Sequence, residues 1–359
     1  MAGDAEQMKR EYRIYTLRKL LFIVICIVVA TTMFLLSLAV GTRNLTLDQA
    51  LGFFIDHLIG VEYEVGSDEW YDERIVWEFR TPRALFAIIA GAGLSVAGAV
   101  MQGVMKNPLA DPYTTGVSSG AMLGASIAIV LGFSLVGSGI NQMGIVVNAI
   151  VFSMIPVIAI VALGQFFRKS PASLILAGVA ISYAFSSLTS LLLVTTDSST
   201  LATVYHWQVG TLSDVHWDSI PLVLIVQLVG FAILYPMSNK INLMALDDKD
   251  AKSMGLDSER LRMICLVILS IMAAIIICYV GVIGFVGLVV PHIVRIILGA
   301  DNKYLIPASA AFGAAFLLTC DVISRSINVT SVIPVGVITA FIGAPLFLFL
   351  IIRQRRSVW

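Results

Sequence analysis

The chain has 359 residues, 58% of them hydrophobic and 13% charged, with a mean hydropathy of +0.93 and a formal net charge of zero. A soluble domain carries about 25% charged residues, so this composition excludes one, and the charge balance argues against a nucleic-acid partner, which favours a basic chain. The four cysteines, Cys26, Cys265, Cys278 and Cys320, stand singly inside apolar runs, which leaves neither a CxxC zinc site nor a disulfide framework.

In chain order, residues 1–19 form a tail of mixed charge, too long for a secretory leader and followed by no small-residue cleavage site. Apolar runs near the ~20-residue spanning length then recur at 20–40, 84–104, 114–132, 144–167, 174–196, 219–237, 263–283, 284–298, 305–323 and 334–352. The expected fold is all-α: a polytopic membrane protein with about ten transmembrane helices over 20–353 and a short tail at 354–359. The eighth run is short and holds Pro291, so it is expected to bend or to span only in part. With the N-terminus inside, 18 of the lysines and arginines fall on cytoplasmic segments, against five outside: Arg43, Arg74, Arg80, Arg83 and Arg325. By the positive-inside rule both termini face the cytoplasm.

Three segments between the runs stand out. The outer segment 41–83 carries "VEYEVGSDEWYDERIVWEFR", dense in acids and aromatics, and reads as a solvated loop with its tryptophans at the headgroup level. The stretch 107–120, "NPLADPYTTGVSSG", sets Pro108, Pro112, Gly116 and Gly120 between two apolar runs. Prolines remove backbone donors, and irregular backbone at membrane depth survives only inside protein or beside a watery cavity. The long inner loop 239–262 reads as two short helices joined around Gly255, with Leu243, Met244, Leu246, Ala251 and Met254 apolar among charges. Such a loop either anchors at the membrane surface or docks a partner.

Enzyme signatures are missing. No GxxxxGK[ST] phosphate loop, HExxH or GxSxG occurs. Asp321 falls near the outer end of the ninth run and Arg295 near the inner end of the eighth; the span interiors otherwise read as free of ionisable residues, whereas an ion-coupled transporter usually needs a carboxylate or histidine at the midplane. Uphill movement of a solute would then draw its energy from a separate subunit, which favours docking for 239–262. Within the spans, Gly91, Gly93, Ala97 and Gly98 have the small-residue spacing of closely approaching helices.

Three long blocks resemble the permeases of the iron-siderophore, haem and vitamin B12 ABC importers. They are "FRTPRALFAIIAGAGLSVAGAVMQGVMKNPLADPYTTGVSSGA", "GFVGLVVPHIVRIILGADNKYLIPASAAFGAAFLLTCDVISR" and "IPVGVITAFIGAPLFLFLIIR", in order between about residue 75 and residue 353. The resemblance implies ten helices in a type II importer permease, paired with a second permease copy, expected as a homodimer. It further implies a cytoplasmic ATPase dimer that holds ATP and Mg, no cofactor on this chain, and an extracytoplasmic substrate-binding protein. Residue by residue, it assigns Arg80, Arg83 and Arg325 to docking of the binding protein, with anchoring at the outer interface as the alternative role. Leu246, Ala251, Gly255 and Leu256 match the ATPase-coupling segment, and Pro171, Ala172 and Ser173 the inner gate. The path is expected along the fifth span at Ser182, Ser186, Ser187 and Ser190, hydroxyls that interhelical packing explains equally well. Val332 stands where the family often has glutamate, and the acidic insert 56–74 is longer than usual. The expected substrate is an iron(III) chelate of siderophore type, with cobalamin or haem as alternatives and an ion-coupled transporter as the competing class.

Overall fold

A computed structural model of the protein describes residues 2–136, 142–166, 171–327 and 332–354, with backbone alone at 2–6, 8–12, 164–166, 351 and 353–354. Arg168, Lys169 and the tail beyond Gln354 lie outside the described residues. The expected all-helical architecture is what it shows. Seven helices among the described residues are long and apolar enough to cross a membrane, and three shorter apolar ones, at 117–131, 286–298 and 335–350, accompany them.

The first helix, α1 (Ala2–Ala39), runs straight through the expected N-terminal tail. Its Leu17, Leu20, Leu21, Val24, Ile25 and Val28 are exposed, the outward apolar face a lipid-bathed helix needs. The expected outer loop is instead a small helical cap. In it α2 (Leu47–Ile59) starts with a capping box between Thr46 and Gln49 and stops at Gly60, whose φ of 78° suits glycine. Next, α3 (Asp68–Arg74), capped by Ser67, passes through a π-helical turn at Ile75–Arg80 into α4 (Thr81–Val104) without interruption. The cap has its own core of Leu38, Ala50 and Val76. Trp77 is held from two sides: His57 stacks on its ring, and Trp217, from outside the cap, donates its indole N–H to the Trp77 carbonyl.

The bundle is built around α4. It packs against α9 (Ile220–Leu234), α12 (Ser258–Val280), α13 (Val286–Leu298) and α14 (Asn302–Ile327). Glycine makes this possible: a Cβ on Gly91 would overlap the Gly313 carbonyl of α14, and one on Gly98 the Gly287 carbonyl of α13. Helices α5 (Val117–Leu131), α6 (Gln142–Phe166) and α7 (Pro171–Val194) form a second group beside it. A short α8 (Ser198–Val209), capped by Asp197, follows α7, and α15 (Val335–Gln354) closes the chain. Between α9 and α12 lie α10 (Ser238–Leu243) and α11 (Asp248–Ser253). At 13 residues α13 rises only about 20 Å and does not span, as its shortness suggested.

Candidate functional site

The stretch 107–116 is not a surface loop. It leaves the end of α4 and climbs back into the bundle: a Cβ on Gly287 would stand 3.0 Å from the Leu94 carbonyl and 3.5 Å from Asp111 Oδ2. Leu94 lies ten residues inside the end of α4, about 15 Å along the helix. Asp111 therefore sits at membrane depth, which corrects the expectation that no carboxylate does. Its Oδ1 accepts from the Tyr113 N–H (2.9 Å), and the Tyr113 hydroxyl donates to the Ile283 carbonyl (3.0 Å). Pro112–Thr115 forms a 3-10 turn that ends at Gly116, with φ at 84°, where α5 starts. Irregular backbone is held here because protein surrounds it. The sequence pointed to Pro108 and Pro112 as helix breakers, but depth is a property of neighbours far along the chain.

Just above that turn lies a cavity of about 480 Å³ between α5, α7 and α8. Ser118, Ser119, Ser182, Ser186, Thr189, Ser190, Tyr205 and Gln208 supply its polar lining. Three of the four serines expected on the path thus share one wall, and Ser187, an exposed residue, is outside it. The spacing explains the split: 182, 186 and 190 fall on one helical face, and 187 turns away from it. Ser182 donates to the Gly178 carbonyl (2.8 Å), Thr189 to that of Phe185 (3.0 Å) and Ser190 to that of Ser186 (3.0 Å). With those hydrogens committed to the helix, the hydroxyl oxygens offer lone pairs to the cavity. Among the described residues, no charged one lines it. A second cavity, about 380 Å³, lies on the other face of α8, between His206, Trp207, Asp214, His216 and Tyr279. No group of three or more histidine, cysteine or acidic side chains able to hold a metal ion occurs among the described residues.

Pro171, Ala172 and Ser173 form the first turn of α7, where proline is tolerated because that N–H has no helical partner. In the 239–262 segment the two short helices are α10 and α11, and they join at 244–247. Gly255, with φ at 84°, closes α11 ahead of α12, a different place from the expected joint. Leu246 and Met254 are exposed, Ala251 is buried, and Leu256 packs against the core.

The profile of the FecCD transport family matches residues 25–353. The chain belongs to the FecCD transport family. It is 37% identical, over 97% of its own length and 99% of the relative's, to an ABC transporter permease protein of Methanocaldococcus jannaschii. It is also 37% identical to the cobalamin import system permease protein BtuC of Halobacterium salinarum, over 78% of this chain and 74% of that one. A solved structure described as an inward-facing conformation of a metal-chelate type ABC transporter superposes with a TM-score of 0.79, at 30% identity, covering 92% of this chain and 98% of that chain. This FecCD permease is accordingly a non-catalytic subunit of an ABC importer, a role that implies an ATPase and a substrate-binding protein as partners.

The FecCD permease holds its three expected docking arginines inside the chain. Arg80 donates from Nη1 to the carbonyls of Leu38 (2.6 Å) and Ala39 (2.7 Å), and from Nη2 to that of Arg43 (2.5 Å). Arg325 donates to the Ser37 (3.0 Å) and Val40 (2.7 Å) carbonyls. These are the last carbonyls of α1 and the turn after it, which lack helical partners and carry the negative end of the helix dipole. Asp321, wholly buried, pairs with Arg83 (2.8 Å) and Arg325 (3.0 Å). In this conformation the guanidinium forks of Arg80 and Arg325 face the end of α1, and that of Arg83 lies between Asp321 of α14 and the Ser213 hydroxyl (3.3 Å). Sequence reasoning missed the partners of Arg80 because backbone carbonyls leave no residue-type signal.

Proposed function

We propose that the chain moves an iron(III) chelate of siderophore type across the cytoplasmic membrane, as one of two identical permease subunits with both termini in the cytoplasm. The observation that carries this reading is the uncharged, acceptor-rich cavity beside α7. A chelate arrives with the charge and coordination of its metal already satisfied. Its wall therefore needs neutral hydrogen-bonding groups, not ligands or counter-charges, whereas a bare ion would need both. Cobalamin is the second reading, favoured by the likeness to a cobalamin permease and by an amide-rich periphery that suits the same wall.

The path runs along Ser182, Ser186 and Ser190, with Pro171, Ala172 and Ser173 narrowing its cytoplasmic end. The exposed face of α7 fits a second copy closing the other side. ATP and Mg belong to the ATPase partner, which seats against Leu246 and its neighbours Ala251, Gly255 and Leu256. The binding protein docks at the outer end, where Arg80, Arg83 and Arg325 fix the shape of the surface from beneath. Uptake of labelled ferric siderophore, haem and cobalamin in source cells with and without the gene tests the reading. Loss of ferric-chelate uptake alone supports it, and loss of cobalamin uptake alone replaces the substrate while keeping the mechanism.

A further inference from the structure

The two halves of the 238–253 segment both lie near the end of α4, but their polar contacts go to different parts of the bundle. Asn242 of α10 donates to Asp301 Oδ1 (2.8 Å), and its own Oδ1 accepts from the backbone and side-chain nitrogens of Asn302 (2.8 Å each). That ties α10 to the start of α14. Helix α11 is fastened elsewhere. Lys106 Nζ donates to the Leu246 carbonyl (2.6 Å) and pairs with Asp248 Oδ1 (3.0 Å) at the first residue of α11. The same oxygen lies 3.5 Å from Nη2 of Arg262, a fully buried guanidinium whose Nε donates to the Val104 carbonyl at the last residue of α4 (3.0 Å).

Lys106 itself is held at a φ of 50°, a left-handed conformation that a side-chain-bearing residue adopts only when its surroundings enforce it. It is also the last residue before the re-entrant stretch. From Asn107 that stretch climbs through Asp111 to Gly116, and the first turn of α5 then places Ser118 and Ser119 in the cavity.

We infer that Lys106, Asp248 and Arg262 are the joint through which α11 moves the re-entrant stretch, and with it the Ser118–Ser119 side of the hydroxyl-lined cavity. The inference rests on the importer reading above and names its positioning residues. Docking at the exposed Leu246 and Met254 loads α11, while α10 stays with α14. The load reaches Lys106 through one backbone carbonyl and one carboxylate, then the ten residues that end at Gly116. Asp248 is half exposed, so the pair adds little static stability. Its part is to transmit displacement, and fold and coupling separate in a test.

The test uses the complete importer, permease with ATPase and binding protein, in liposomes. Asp248→Asn and Lys106→Gln are expected to keep the ATPase attached and hydrolysing while uptake per ATP falls by roughly fivefold or more, the lower range for coupled sites. The double variant falls no further than either single one, and Asp248→Glu recovers. A second readout needs no transported substrate. In a Ser118→Cys background, ATP changes the maleimide labelling rate of the parent, and that change disappears in Asp248→Asn. Unaltered uptake per ATP together with an ATP-dependent labelling change in Asp248→Asn overturns the joint. So does loss of the ATPase on purification, which makes Asp248 a docking residue. A parent complex that takes up no chelate while its labelling still responds to ATP speaks against the proposed substrate and leaves the joint standing.

Discussion

Helices α4 and α7 are each 24 residues long and apolar, yet they sit in opposite surroundings. On α4 nineteen residues are buried, and on α7 three: Leu174, Gly178 and Thr189. The difference lies in what each helix carries where a neighbour comes close. Along α4, Gly91 and Gly98 admit the backbones of α14 and α13, and Arg83 reaches a buried carboxylate. Along α7, bulky Leu176, Tyr183 and Leu191 stand exposed and serines face a cavity. Hydrophobicity marks both as membrane helices, and glycines at two helix crossings mark one as the axis.

The contrast can be broken first at its most enclosed point. Asp321→Ala strands two buried guanidiniums and is expected to cost about 3–5 kcal/mol, read as a lower unfolding temperature in detergent; an unaltered temperature would mean that Arg83 and Arg325 do not depend on it. Next comes Gly98→Ala, where the new methyl meets the Gly287 backbone. About 1–3 kcal/mol is expected for such overpacking, checked in the same melt. On α7 the outcome is of another kind. Ser186→Leu is expected to leave the melt alone and cut chelate uptake several-fold, because it fills the cavity without touching the core. The smallest effect is expected for Ser187→Leu, one residue on, which should change neither; equal losses at 186 and 187 would take the path away from this wall.

Much of this was legible before any coordinates. Apolar runs of spanning length announced the helices, because a bilayer demands internally bonded backbone. The i, i+4 spacing of Ser182, Ser186 and Ser190 announced a shared face. The depth of Asp111 was not legible, since polar residues with two prolines describe a surface turn equally well. Nor was the burial of Arg80, whose partners are carbonyls about forty residues away. The cap over 41–80 was half legible: its aromatics read as headgroup anchors, whereas Trp77 stacks on His57 and Trp217 bonds to its backbone.

The continuous helix from Asp68 to Val104 has a consequence for how the two ends of the molecule communicate. Thirty-seven residues make a rod of about 55 Å, well beyond the ~30 Å hydrocarbon core. Its upper end is built into the cap, and the carbonyl of its last residue is gripped by Arg262. A rod transmits torsion as well as thrust, and the π-helical turn at 75–80 is where its winding can change. A twist imposed at the cap is therefore felt across the membrane with no flexible loop to absorb it.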